Sequence, residues 1–282
     1  MTAEHHTAGQ RVALVTGASS GIGKVAAKQL AAAGYIVFPA ARRIEAMADL
    51  IPLGCRPIRL DLNDPAAVEA VVAEIVGQVG GIDLLVSNAA DGALGPLEEV
   101  EIAGMRAQFE TNVFAPTRLI QLVIPAMRQR GGGRVALVSS MGGEHTTPCS
   151  GSYHATKYAT EALADSWRFE LASSGIDIAV IQPAVVDTPM ARNSSVNLKA
   201  RTGRYAPLLH KMGEMAETAI VKRQGVVTPE AVAKAIVHAA TARRPKTRYK
   251  VGMAAHLLPA MRRWLPDRAY DAVWRKAFNV TF

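Results

Sequence analysis

The chain is poor in cysteine, in aromatic residues and in long apolar runs. Two Cys in 282 residues, Cys55 and Cys149, exclude a disulfide-built scaffold and a Cys-rich zinc site. No stretch reaches the roughly 18 uncharged apolar residues of a membrane-spanning helix. The first ten residues, Met1 to Gln10, are polar and lack the apolar centre of a secretory leader, so a soluble, cytoplasmic protein is expected. What is present is ordinary for a folded enzyme-sized chain. Hydrophobic residues make up 49% of it, too many for a disordered protein and enough to bury a core without metal or disulfide staples.

Charge is distributed unevenly. The formal net charge is +8, and from Thr241 to Phe282 ten Lys/Arg face two Asp/Glu, so the whole excess lies in that last segment. The first 240 residues are neutral. A nucleic-acid binder would carry its basic face on the domain itself, so no nucleic-acid partner is expected.

Short apolar runs alternate with helical stretches. Strands are expected at Arg11–Thr16, Tyr35–Ala40, Arg56–Leu60, Ile82–Ser87, Arg134–Ser139, Asp177–Gln182 and Arg248–Val251. Helices are expected at Ile22–Ala33, from Pro65 to Val79, over roughly Met105–Arg130, over Tyr153–Ser173 and from Thr228 to Ala242. Strands apolar on both faces imply a parallel sheet covered on both sides, a doubly wound α/β fold of Rossmann type. The expected organisation is a polar tail (1–10), one Rossmann-type α/β domain (11–252) and a basic amphipathic helical extension (253–282). Within the domain, Val186–Gly225 reads as a long irregular insertion, the kind of loop that carries function.

Thr16-Gly17-Ala18-Ser19-Ser20-Gly21-Ile22-Gly23 falls where the first strand turns into the first helix. Glycines there let the backbone approach a pyrophosphate, which the N–H groups and dipole of the helix N-terminus stabilise. The end of the second strand, Ala40-Ala41-Arg42-Arg43, lacks the carboxylate that would accept hydrogen bonds from an adenosine ribose. Small residues followed by Arg leave room for a 2′-phosphate and attract it, which favours NADP(H) over NAD(H); alternatively the two Arg simply open a solvated helix. Asp61 stands either to meet an adenine amino group or to cap the next helix.

Tyr153 and Lys157, four apart, share one helix face. An ammonium beside a phenol favours the phenolate, and lowering a Tyr pKa by about three units takes roughly 4 kcal/mol. Ser140 sits at the carboxyl end of the fifth strand, where parallel sheets bind ligands.

Thr16-Gly17-x3-Gly21-x-Gly23, Asn88-Ala89-Ala90, Asn112, Ser139-Ser140 and Tyr153-x3-Lys157 together make the chain resemble the compact branch of the short-chain dehydrogenase/reductase family over nearly its whole length. The resemblance implies that Tyr153 is the general acid or base at a carbonyl or alcohol oxygen, that Ser140 polarises the same oxygen, and that Lys157 lowers the Tyr pKa and binds the nicotinamide ribose. Asn112 would anchor a water joining Lys157 to solvent. The implied cofactor set is Gly17, Ser19, Ser20, Gly21, Ile22, Gly23, Arg42, Asp61, Leu62, Asn88, Ala89, Tyr153, Lys157, Pro183, Val186 and Thr188, with Asn88 steadying the central sheet. Asp91 stands where the family's Asn-Ala-Gly turn ends in Gly, and Ala184 where the family has Pro-Gly; Ala fits there only with a negative φ.

The runs from Gly34 to Met47 and from Thr247 to Asp271 are similar to the group of 17β-hydroxysteroid and retinol dehydrogenases, which implies a hydrophobic alcohol or carbonyl substrate. Substrate contacts are expected from Met141, Met190, Tyr205 and Met212, although the apolar residues of 186–225 serve equally to pack that segment onto the body. The tail has three readings: a packed helix pair with a solvated basic face, a lid or subunit contact, or an interfacial segment. The resemblance also implies a homodimer or homotetramer through the helices carrying Asn112 and Tyr153. The function expected is NADP(H)-dependent interconversion of a hydrophobic alcohol and its ketone or aldehyde. The alternatives are an NADP(H)-binding sensor without turnover and an NAD-dependent alcohol dehydrogenase.

Overall fold

The computed structural model describes residues 10–279. Seven parallel strands form one sheet in the order β3-β2-β1-β4-β5-β6-β7. They are β1 (Val12–Thr16), β2 (Ile36–Ala41), β3 (Ile58–Arg59), β4 (Leu84–Ser87), β5 (Gly133–Val138), β6 (Ile176–Pro183) and β7 (Arg248–Val251). Alternate residues of a strand point to opposite faces, and both faces are apolar here. Val12 and Leu14 pack under α2 (Pro65–Val79), α4 (Ala115–Gln129) and α5 (Gly151–Glu170). Ala13 and Val15 pack under α1 (Gly21–Ala32) and α8 (Pro229–Thr241). The strand order reverses between β1 and β4. In such sheets the crevice at the carboxyl ends, beside that reversal, is where ligands bind.

Four differences from the sequence reading have physical causes. The expected strand Arg56–Leu60 contracts to Ile58–Arg59, since β3 pairs with β2 only at Ala40 and Ala41. The expected helix Met105–Arg130 is α3 (Ile102–Phe109), a π-helical turn at Glu110–Phe114, then α4. Such turns insert an extra residue and re-aim a side chain, and here the side chain is that of Asn112. The segment 186–225 is not irregular. It folds as α6 (Pro189–Lys199) and α7 (Ala206–Lys222), with Thr188 capping α6 by accepting from Ala191 N at 3.3 Å. Finally, α5 starts at Gly151, two residues before Tyr153.

The end of the chain forms α9 (Ala254–Trp264) and α10 (Asp267–Phe278). Tyr270 anchors α10 by donating its hydroxyl to Thr146 O at 2.6 Å, while Arg263, Arg268, Arg275 and Lys276 face solvent. The polar tail over residues 1–9, and residues 280–282 of the basic extension, lie outside the described residues. Among the described residues no helix is long and apolar enough to cross a membrane, and no group of His, Cys, Asp and Glu is placed to hold a metal ion.

Candidate active site

The carboxyl ends of the strands open into a cleft of about 850 Å³. Its floor at one end is the glycine turn. Gly17 has φ +68°, and a Cβ there would come within 2.8 Å of the Ala89 backbone and the Asn88 amide. A Cβ at Gly23 would lie 2.5 Å from the Asn88 amide and 2.6 Å from Gly17 O. Only glycine fits either position. Asn88 locks the turn by donating its amide to Thr16 O at 2.9 Å, while its backbone N–H donates to Thr16 Oγ1 at 3.0 Å. The first turn of α1 carries no acidic residue and no side-chain cap, so its N–H groups and dipole are left to an anion.

Ser19, Ser20, Gly21 and Ile22 line the cleft above this turn, and Arg42, Arg43, Asp61 and Leu62 line its far rim. Arg42 and Arg43 are exposed, and among the described residues no carboxylate is paired with either. Asp61 accepts from Asn63 N at 3.0 Å, and the cap of α2 is Asp64. Pro183, Val186 and Thr188 line the opposite wall, where α6 begins. A dinucleotide carrying a 2′-phosphate fits this donor set: glycine contacts and helix N–H groups for the pyrophosphate, unpaired guanidinium groups beyond it.

Tyr153, Lys157 and Ser140 line the same cleft. Ser140 leaves β5 and accepts from Gly142 N at 3.1 Å; its side chain also hydrogen-bonds the Tyr153 phenol. Lys157 is buried, donates to Val138 O at 3.0 Å, and holds its Nζ 5.7 Å from the Tyr153 ring centre. Burial pushes the phenol up to about 12, against the pull of the Ser140 hydrogen bond. Burial brings Lys157 down to about 8, opposed by the negative charge of Glu161. The result is a phenol that keeps its proton at neutral pH, next to an ammonium within reach of deprotonation.

Asn112 stands one layer back. Its amide donates to Asp91 O at 2.8 Å and to Thr156 Oγ1 at 3.0 Å, and its Oδ1 accepts from Asp91 N at 2.7 Å. Asn112 and Lys157 meet at a second cavity of about 20 Å³, room for one water. Neither Asp91 nor Ala184 has a positive φ, so neither position needs the family's glycine.

Of the expected substrate contacts, Met141 and Met190 line the cleft, and Tyr205 and Met212 do not. The hydroxyl of Tyr205 is drawn to Glu98, outside the cleft. The inward stripe of α7 runs through Leu209, Gly213 and Ile220, and it is Ala216 that reaches the cleft. Sequence reasoning did not assign Leu258 and Trp274 of the last two helices to the cleft, yet both line it. It also passed over the ionic web under the site. Buried Glu161 is 3.0 Å from Arg248 Nε and accepts from Gln182 at 3.0 Å, and Glu144 is 2.7 Å from Lys250. Glu161 follows Lys157 by four on the same helix, the one local signal that could have flagged it.

Comparison with known proteins agrees with this fold. The family model described as short chain dehydrogenase matches residues 11–199. The oxidoreductase YbbO of Escherichia coli is 32% identical over 265 residues, covering 94% of each chain. The NADPH-dependent 3-dehydrocapnine reductase of Ornithobacterium rhinotracheale is 31% identical over 276 residues, covering 94% of this chain and 96% of its own. A crystal structure of a short-chain dehydrogenase from Streptomyces avermitilis superposes with a TM-score of 0.80 at 30% identity, covering 97% of this chain and 98% of that one.

Proposed function

Since the chain belongs to the short-chain dehydrogenase/reductase family and is an oxidoreductase acting on a CH–OH group with NAD(P), we propose that it reduces an apolar ketone or aldehyde, or oxidises the matching alcohol, with NADP(H). One observation carries the reading: Ser140, Tyr153 and Lys157 converge in the same cleft that holds the glycine turn and the unpaired Arg42. The similarity to an NADPH-dependent reductase of a 3-dehydro substrate supports both halves of it.

When bound, NADP(H) supplies the hydride. Gly17, Gly21, Gly23 and the first turn of α1 would hold its pyrophosphate, Arg42 its 2′-phosphate, Lys157 the nicotinamide ribose and Thr188 the nicotinamide end. The substrate oxygen lies between the Ser140 hydroxyl, which polarises it, and the Tyr153 hydroxyl, which delivers a proton as negative charge develops. Lys157 steadies the phenolate left behind. A water in the cavity shared with Asn112 returns a proton to the Tyr–Lys pair. In the oxidative direction the same groups act in reverse order.

The apolar part of the substrate lies against Met141, Met190, Leu198, Ala216 and Leu258, a wall of flexible and small side chains. The test is equilibrium binding of NADPH and NADH, followed by NADPH oxidation across a panel of apolar ketones and aldehydes. Tighter NADPH binding with turnover of apolar carbonyls is expected. Preference for NADH would overturn the cofactor assignment, and turnover confined to small polar carbonyls would overturn the substrate class. We further propose a cytoplasmic setting and pairing of subunits through the long helices.

A further inference from the structure

Helix α9 turns an apolar stripe to solvent. Met253, at its N-cap and already helical in backbone angle, is followed by Leu257, Ala260 and Trp264. Spacings of four, three and four residues stack these side chains along one side of the helix. All four are exposed, Met253 to 74%, Leu257 to 58% and Trp264 to 77%. The body covers the opposite side, where Ala255 and Pro259 are buried and Leu258 lines the cleft. A surface helix ordinarily buries its apolar side and wets a polar one. This helix is apolar on both.

Cations border the stripe. His256 and Arg263, seven apart, run along one edge of it, and the Arg263 guanidinium lies 5.7 Å from the centre of the Trp264 ring. From Met253 to Asn279 five Arg and Lys stand against two Asp, a net charge of +3. Arg268, Arg275 and Lys276 of α10 are exposed. Of the two carboxylates, Asp267 is already neutralised by Arg262 at 2.9 Å.

We propose that this outward face of α9 docks on an anionic lipid surface. Its apolar side chains enter the acyl boundary while the bordering cations stay among the headgroup phosphates. Tryptophan, with an apolar body and one polar N–H, is the side chain that favours that boundary. A second copy of this chain is the competing occupant, and charge argues against it. Two such faces would bring like charges together, whereas an anionic surface meets them with the opposite sign.

Leu257 and Leu258 join the docking face to the cleft. The first is exposed on the stripe, and the second, one residue on, lines the cleft wall. The docked helix is therefore also a wall of the site. An apolar ketone or alcohol dissolved in the lipid reaches that wall without crossing bulk water, where apolar surface is costly. This delivery step rests on reading the cleft as an alcohol–carbonyl site; the docking does not.

The experiment sediments the full-length, NADPH-loaded protein with vesicles of mixed phosphatidylglycerol and phosphatidylcholine, and with vesicles of phosphatidylcholine alone, at low and high salt. Binding should be about tenfold or more tighter to the anionic vesicles and should weaken as salt rises. Leu257→Ser and Trp264→Ser alter outward side chains, so each should keep the wild-type Tm and NADPH affinity while losing about tenfold or more in vesicle affinity. The proposal is overturned if anionic vesicles are not bound, or if binding ignores lipid charge or survives both substitutions. It is equally overturned if the two variants instead break self-association measured by analytical ultracentrifugation without lipid, which would make the face a contact between copies. Delivery is read separately, with a long-chain ketone presented in the vesicles and a short ketone in water. The variants should slow turnover of the first and leave the second unchanged. Failure of every ketone to turn over would overturn the alcohol–carbonyl reading and leave the vesicle result standing.

Discussion

The side chain of Asn112 grips Asp91 by both of its backbone polar groups, donating to its carbonyl at 2.8 Å and accepting from its N–H at 2.7 Å. It does so from within a π-helical turn, so the irregularity in the helix is what delivers an amide to the loop after β4. This explains how the loop dispenses with glycine. The clamp fixes the main chain whatever side chain Asp91 carries, and that side chain adds a bond to Ala93 N at 3.0 Å.

Asn112→Ala should therefore lower stability by about 1–3 kcal/mol, because it leaves two main-chain groups and the Thr156 hydroxyl short of partners. Asp91→Gly should cost about 1 kcal/mol or less, the value of one local cap. Thermal unfolding of the two variants checks the ranking. If Asp91→Gly proved the more damaging, the clamp would not be what holds the loop.

Tyr153→Phe removes the proton donor and leaves the ring. A fall in kcat of about 10²–10⁴ is expected, with the NADPH dissociation constant little changed. Steady-state rates combined with fluorescence titration of NADPH separate the two effects. Loss of cofactor binding in step with turnover would assign the phenol a structural task instead.

Legibility in the sequence followed the range of the interactions. Tyr153 and Lys157 could be read because four residues on a helix is a local fact, and Ser140 because strand ends in parallel sheets bind ligands. Thr228-Pro229 announces the helix that follows it; Thr188-Pro189 carries the same cap-and-proline signal, yet the segment after it lacks a clean apolar stripe and reads as irregular. Its inward face is built from small residues such as Ser195 and Gly213, joined by a 3.2 Å hydrogen bond. Contacts across the chain left no such trace. Arg248 meets Glu161 from 87 positions away, and Trp274 joins the cleft wall from a tail whose basic, amphipathic pattern leaves a lid, a packed helix pair and an interfacial segment open. Tyr205 and Met212 were misplaced for the converse reason: an apolar residue in a helical hairpin packs inward or not according to a rotation that composition leaves open.

Arg42→Ala should weaken NADPH about 10- to 100-fold, the worth of hydrogen bonds to a doubly charged phosphate, and leave NADH nearly unaffected. Arg43→Ala tests whether its neighbour on the same rim shares the task. The discriminating quantity is the ratio of the two dissociation constants at fixed ionic strength, since added salt screens an exposed guanidinium–phosphate pair. Equal losses for both cofactors would move the contact from the 2′-phosphate to the pyrophosphate.

Acid should destabilise the fold through His154. Burial, reinforced by the neighbouring His145, pulls its pKa down from 6.5 to about 4. A ring that stays neutral in the fold but binds a proton when unfolded gives the unfolded state the larger proton uptake, so stability rises with pH across that window. The contribution is complete above about pH 6.5 and is lost as the pH falls towards about 4, amounting to about 3 kcal/mol. His145, also lowered by burial, acts in the same direction. Carboxylates held low by ion pairs, Glu144 and Asp165 among them, lose their contributions at more acidic pH, so the histidine step comes first on descending. Denaturant unfolding at a series of pH values from neutrality down to about 4 measures the slope, and His154→Gln should flatten it. An unchanged slope in that variant would mean that water reaches the ring and protonates it within the fold.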